Sequence, residues 1–501
     1  MKKSLLFIAL LTICNLNAQL FECIGDETAG IGTAGPYLCN GYDLMAQITL
    51  TEFDAALDLG PATPPSTGSD SWGWTDPASG REFAIMSFTE GFAFVEITDP
   101  ENPVITASVP ITSTDVQRLW RDVKVYNNHA FMVGEDADQG MKVFNLNRLL
   151  TVTNPPEIFE PDTFFQGFGS AHNIAINEDS GYAYPIGARE FGGSGQVNGG
   201  GPIFINIQDP VNPVIEGGYD STDDMVNSYT HDAQVVIYDG PDTDYTGQEI
   251  YMGANESTMI IADITDKSNP QYISDISYAS ATYTHQGWFS KDKRYFLMGD
   301  ELDEIMNGLP TRIAVYNVED LDNPFVHFIW EGPTTATDHN MYIIDDTLYL
   351  ANYAAGMRVL DISDIDNMNF VEIGFFDTLP GNDVAGTASA WNVYPYFPSG
   401  NLIISDVAEG LFIVKKTENL SVEDINKTNV TMFPNPAKNT TNITVDGNVI
   451  QSIKVSDVLG KEIFMVSSLN SDTFTLNTSN FQTGVYLITI NDNVTKKLII
   501  E

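Results

Sequence analysis

The chain has 501 residues, 68 acidic and 23 basic, and its formal charge of −45 argues against nucleic acid or an anionic membrane surface as a partner. Hydrophobic residues make up 43% and are interspersed with 40 glycines and 25 prolines, a turn-rich β composition with few helices expected. Beyond the N-terminus no stretch approaches the roughly 20 apolar residues that span a bilayer, so no transmembrane segment is expected.

Residues 1–18 read as a signal peptide: Lys2 and Lys3 supply positive charge, Ser4 to Ile13 an apolar segment, and Leu16-Asn17-Ala18 a cleavage site before Gln19. Cys14 follows Ile13, not the small residue that a lipoprotein signal requires. Cleavage leaves Cys23 and Cys39, which in an oxidising compartment are expected to form a disulfide; two unpaired thiols are the alternative. The N-terminal segment, residues 19–45, otherwise reads as Gly- and Thr-containing coil to about residue 43. Ala46 to Leu50 alternates like a strand, and a Pro/Ser/Gly-rich segment runs from Pro61 to Gly68.

From Trp72 onward a short polar signature recurs, at Ser71-Trp72-Gly73, Arg121-Asp122-Val123, His172-Asn173-Ile174, His231-Asp232-Ala233, His285-Gln286-Gly287, His339-Asn340-Met341 and Trp391-Asn392-Val393. The intervals 72→122→172→231→285→339→391 are 50, 50, 59, 54, 54 and 52 residues, the period of propeller blades. Each repeat continues into an apolar run such as Gly91 to Ile97 or Met259 to Ile264, often closed by an Asn-Pro turn (Asn102-Pro103, Asn212-Pro213, Asn269-Pro270, Asn323-Pro324) where Pro ends the ladder. The expected architecture is therefore all-β, a seven-bladed β-propeller over residues 46–416. The seventh repeat ends early, at Gly410 to Lys415, so the strand at Ala46 to Leu50 is expected to complete its blade.

The set Trp72-Gly73-Trp74, Gly80-Arg81-Glu82, Trp120-Arg121-Asp122, Thr230-His231-Asp232, His285-Gln286-Gly287-Trp288 and Asp338-His339-Asn340 resembles the choice-of-anchor B family, whose repeats are similar to LVIVD repeats. That resemblance implies a secreted or surface propeller and no established reaction. After a polar linker at residues 417–428, Met432-Phe433-Pro434-Asn435-Pro436, Val455-Ser456-Asp457-Val458-Leu459-Gly460 and the ending Lys496-Lys497-Leu498-Ile499-Ile500 resemble the type A sorting domain of the Bacteroidetes type IX secretion system. Residues 429–501 are thus expected to form a small β-sandwich recognised by that machinery, with the protein exported across the outer membrane to the cell surface or medium.

Three groups of side chains are candidates for chemistry. His172, His231, His285 and His339 hold one phase of the repeat, and with Trp72, Asp122 and Trp391 they are expected to ring the channel. Two readings fit: a transition-metal or ligand site, because neutral imidazoles ligate such metals, or histidines that bond backbone between blades. Asp239, Asp242, Asp244 and Glu249 alternate oxygens around Gly240 as a calcium loop would, with Glu135, Asp136 and Asp138 a weaker version; solvated acidic turns are the alternative. Asp300, Glu301, Asp303 and Glu304 could act as an acid–base pair or bind calcium. No nucleotide-binding motif, nucleophile elbow or metalloprotease helix is present. The function expected is a surface ligand-binding or scaffold module for a glycan or protein; the alternative is a metal-dependent extracellular hydrolase or lyase using the histidines, assisted by Asp122 or Glu301.

Overall fold

The apolar runs of the repeats become strands buried on both faces. In Gly91–Glu96, Phe92 and Phe94 pack with Val123, Met132 and Phe144 of the following sheet, while Ala93 and Val95 pack with Ile403 and Ile413 of the preceding one. In Arg312–Asn317, Ala314 and Tyr316 face one neighbour and Ile313 and Val315 the other. The two-residue period of a strand thus serves two interfaces at once, and each sheet is held between two others.

The structure is a computed structural model that describes residues 20–26, 31–57, 66–111, 119–220, 229–417, 430–445, 449–457, 460–491 and 494–501. The signal peptide, most of the Pro/Ser/Gly-rich segment and all but the first residue of the expected linker lie outside them. The chain divides into two compact units, residues 1–417 and 418–501. No helix among the described residues is long and apolar enough to cross a membrane.

Among the described residues the first unit holds seven sheets of four or more strands, antiparallel except where Glu157–Ile158 runs parallel to Val104–Pro110. In chain order their first strands are Gly68–Thr75, Arg121–Tyr126, Asn173–Asn177, Asp232–Ile237, Thr284–Phe289, Met341–Ile344 and Ala390–Tyr394. Each first strand lies against the next, and the last lies against the first. Six sheets share a register shift between third and fourth strands, at Phe94/Val95, Phe204/Ile205, Ile261/Ala262, Val315/Tyr316, Val359/Leu360 and Ile413/Val414. A bulge at that place adds twist where the sheet turns outward. Asn102, Asn212, Asn269 and Asn323 each donate a backbone N–H to the carbonyl three residues earlier, closing the turn ahead of the following proline.

The seventh sheet is completed from the N-terminus. Tyr42–Ile48 pairs with Gly410–Lys416, with Ile48 opposite Leu411 and Ala46 opposite Ile413. The strand lies earlier than Ala46 to Leu50 because Thr49 caps the helix Leu50–Ala56 in a reciprocal bond with Glu52. Gly410 (φ +95°) closes the hairpin where a Cβ would stand 2.2 Å from the Ile48 carbonyl oxygen.

Much of the segment expected to be coil is in strands. Ile24–Asp26, Ile31–Ala34 and Tyr37–Asn40 extend the outer edge of the sixth sheet, Cys39 pairing with Phe376. The Cys23–Cys39 disulfide is formed, with Cα atoms 6.0 Å apart. Tyr37 and Cys39 sit among the apolar side chains of that edge, which the coil reading missed because the short strands are interrupted by glycines.

The second unit has a three-stranded sheet (Val430–Phe433, Thr440–Val445, Thr473–Asn477) and a four-stranded one (Glu462–Ser471, Ile450–Asp457, Gly484–Ile490, Val494–Ile500). Ile443, Ile453, Val455, Leu476, Ile488 and Leu498 form their shared core.

Candidate functional site

The repeated signature lies at or near the start of the first strand in six sheets and within Gly68–Thr75 in the first, and its two consecutive residues do different work. The second residue ties sheet to sheet. Asp122 Oδ2 accepts from Ile174 N (2.9 Å) and Asn173 Nδ2 donates to the His231 carbonyl (2.9 Å). Gln286 exchanges two bonds with the Met341 backbone (3.1 and 2.9 Å), and Asn392 Nδ2 donates to the Ser71 carbonyl (2.6 Å). Ser69 with Arg121, Gln234 with Phe289, and Asn340 with Asn392 supply the remaining junctions. Hydrogen bonds therefore run from each sheet to the next around all seven first strands.

The first residue of the signature is a histidine in four consecutive sheets, and His172 and His231 line a cavity. His172, His231, His285 and His339 form a continuous arc, with ring centroids 4.4, 4.1 and 4.3 Å apart, and Trp391 continues it 4.7 Å from His339. Trp72 and Asp122 do not join it. Asp122 is taken up by Ile174 N and by Lys124 Nζ (2.5 Å), and Trp72 packs on Tyr394 (5.0 Å) and Tyr342 (5.7 Å), with Lys124 over its ring. In the second sheet Arg121 stands one residue ahead of Asp122, and in the first it is Ser71 whose carbonyl takes the bond that Asn392 makes. The signatures of sheets one and two are thus displaced by one residue from those of the histidine sheets, and one residue changes the face of a strand.

The arc borders a cavity of about 430 Å³ whose walls include Trp120, Glu135, Tyr229, Tyr283, Glu301 and Tyr353. A second cavity of about 430 Å³, lined by Trp72, Lys124, Glu178, Trp288, Tyr394 and Tyr396, lies toward the other ends of the same strands. Asp70 and Asp122 are buried close to Lys124, which pairs with Asp122. Burial and the charge of Asp122 raise the Asp70 carboxyl well above its usual range, and burial pushes Asp232 up to about 7.

Burial fixes the state of the imidazoles. His231 and His285 are held well below the usual histidine range and His339 falls to about 3, in each case chiefly through desolvation. They are neutral. His231 Nδ1 lies 3.2 Å from the His285 carbonyl and His339 Nδ1 lies 2.5 Å from that of Trp391. A carbonyl only accepts, so each Nδ1 carries the proton and each Nε2 is left with its lone pair. His172 Nδ1 is 2.7 Å from Glu135 Oε1, and no hydrogen-bond partner reaches buried His285 Nδ1. Glu301, its carboxyl raised by burial, accepts from Tyr353 Oη (2.7 Å) and stands 3.6 Å from His285 Nε2 and 3.8 Å from His339 Nε2. One ligand atom each from His231, His285 and Glu301 lie within 4.8 Å of one another. Two neutral imidazoles and one carboxylate beside an aromatic cavity can hold a transition metal with positions left open for a ligand.

The other acidic groups are arranged differently from the expectation. Asp239, Asp242, Asp244 and Glu249 do not form a calcium loop. Glu249 begins a strand and turns inward, where Asn177, Ser180, Tyr184 and Lys267 saturate it at 2.5–2.6 Å. Asp239 pairs with Lys293, and Asp242 accepts from Leu321 N (2.9 Å) and Asp244 N (3.2 Å). Asp242 groups instead with Asp320 and Asp322. In the weaker loop, Asp136 pairs with buried Arg121 and Asp138 accepts from Gly192 N (2.6 Å).

Tyr229, Tyr283 and Tyr353 were not anticipated. A signal existed for two of them, since Tyr229-Thr230-His231 recurs as Tyr283-Thr284-His285.

Residues 431–501 match the family described as secretion system C-terminal sorting domain. The chain therefore carries a type IX export tail, which marks it for transport across the outer membrane to the cell surface or extracellular space. No curated protein matches. Among solved structures, one of PorZ, described as an essential bacterial surface component of the type IX secretion system of Porphyromonas gingivalis, is 11% identical with a TM-score of 0.43. It covers 86% of this chain, which spans 59% of that one. The β-propeller domain of Cps50 (Swd1) from Myceliophteria thermophila is 8% identical with a TM-score of 0.42, covering 70% of this chain and 99% of that one.

Proposed function

We propose that the first unit is a closed seven-bladed propeller that acts as a metal-dependent binding module at the cell surface. The cyclic order of the first strands and the junction bonds that circle them support the ring, and the export tail accounts for the location. The single observation behind binding is the convergence of His231, His285 and Glu301 on one another, His231 and Glu301 lining the cavity and the Nδ1 proton of His231 already held by a backbone carbonyl. A zinc-class ion would sit there with His339 adjacent, and the ligand would meet it between Tyr229, Tyr283, Tyr353 and Trp391. Aromatic walls beside a Lewis acid suit a glycan or a small oxyanion-bearing molecule. The repeats' likeness to the choice-of-anchor B family agrees with a surface role.

The test is the transition-metal content of the purified full chain after dialysis. About one zinc-class ion per chain is expected, lost in His285→Ala with the fold retained by circular dichroism. A folded wild-type protein that retains none would leave the histidines as bonds between sheets and remove the metal from the account.

A further inference from the structure

A second cluster, separate from the histidine arc, is formed by carboxylates that no donor satisfies. Asp303, Glu304 and Asp338 are all at most 2% exposed. Arg312 pairs with Asp303 Oδ2, and Asp338 Oδ2 accepts from Asp300 N (3.0 Å). No hydrogen-bond partner reaches Asp303 Oδ1, Asp338 Oδ1 or either oxygen of Glu304. Four carboxylate oxygens are thus buried without a proton donor, each a costly arrangement. Asp300, alongside them, shows the contrast: Tyr278 Oη, Thr282 N and Tyr283 N donate to it at 2.6–2.7 Å.

We propose that Asp303, Glu304 and Asp338 bind a structural calcium ion. One oxygen from each of the three lies within 4.8 Å of the others. Ligands at 2.3–2.6 Å from a calcium are at most roughly 4.6–5.2 Å apart, so three oxygens this close can share one ion. Magnesium fits less well, because it keeps several waters and these oxygens are enclosed. Charge agrees: Asp300, Asp303, Glu304 and Asp338 face Arg312 alone, an excess that a divalent cation reduces to a single charge. Burial and mutual repulsion raise the Glu304 and Asp338 carboxyls, so protons shared within the trio are the competing arrangement. The ion would join the helix Asp303–Asn307, which follows Glu301, to Asp338, which precedes His339. Calcium would thereby hold two residues of the cavity in place without touching its ligand.

The test is calorimetric titration of the chelator-stripped full chain with calcium chloride at pH 7.5, paired with thermal melts in calcium and in chelator. One high-affinity calcium per chain is expected, with a higher Tm in calcium. Glu304→Asp, which keeps the charge but shortens the reach, is expected to weaken binding at least tenfold, and Glu304→Gln to abolish the chelator response. Asp320→Asn, which breaks the exposed Asp242, Asp320 and Asp322 group, is expected to leave both unchanged. A folded wild-type chain that binds no calcium at millimolar concentration, or whose binding is lost in Asp320→Asn but survives Glu304→Gln, overturns the proposal. Transition-metal content at the histidines is read separately, so failure of either site leaves the other standing.

Discussion

At the residue scale, the signature separates structure from binding within two adjacent positions. Asn392 is fully buried and donates to both Ser71 O and Asp70 Oδ1 (2.6 Å each), across the junction where the last sheet meets the first. Asn392→Ala removes both bonds from buried acceptors, of which Asp70 Oδ1 keeps only the one from Ser71 N, and is expected to cost about 2–3 kcal/mol in denaturant unfolding. Lys142 gives a pH signature. Its ammonium is buried, donates to the Pro110 carbonyl (2.7 Å), and is pushed down to about 8 by desolvation and the nearby Arg121 charge. Below pH 8 both folded and unfolded states hold the proton, and stability carries a constant penalty. Between pH 8 and the unfolded value of 10.5 only the unfolded state holds it, so stability rises with pH, by on the order of 3 kcal/mol in all. Lys142→Met is expected to flatten that rise in unfolding curves recorded from pH 7.5 to 10.5.

At the element scale, the N-terminal segment closes the fold at two places. Tyr42–Ile48 completes the seventh sheet, and the hairpin ahead of it extends the sixth, tied by Cys23–Cys39. Cys23→Ser is expected to lower stability by about 3 kcal/mol, since the disulfide spans 16 residues, and to leave the cavity and its metal unchanged. The closing strand was legible because the seventh repeat visibly lacked a partner. The hairpin was not, because strands of three or four residues broken by Gly25, Gly32 and Gly35 leave no alternation to read. The histidine arc was legible for the opposite reason: one residue type holds one phase in four consecutive repeats. Trp72 and Asp122 were placed with it through a one-residue displacement that only the pairing of the first strands reveals. Glu249 was misread because alternating acids in a sequence do not show which of them turn inward. Asp338 went unread as an acid because its partners in the fold, Asp303 and Glu304, are more than thirty residues away.

At the scale of the whole molecule, a surface unit and an export unit are joined in one chain. Among the described residues the sorting domain has its own core and its own two sheets. Deleting residues 431–501 is therefore expected to leave the first unit folded and to strand it in the periplasm, which fractionation of a type IX-competent host would detect; surface display of the truncated chain would contradict it. Neutral histidines, an aromatic cavity and buried carboxylates all belong to the exported unit, and the export tail accounts for where they operate. The central claim is that the histidine arc is a metal centre and not only a set of bonds between sheets. X-ray absorption at the zinc edge of the zinc-loaded full chain tests it most directly. Two imidazole ligands with nitrogen or oxygen at about 2.0–2.1 Å are expected, with a further position taken by solvent. A first shell of oxygens alone, or the same spectrum in His231→Ala, would contradict it.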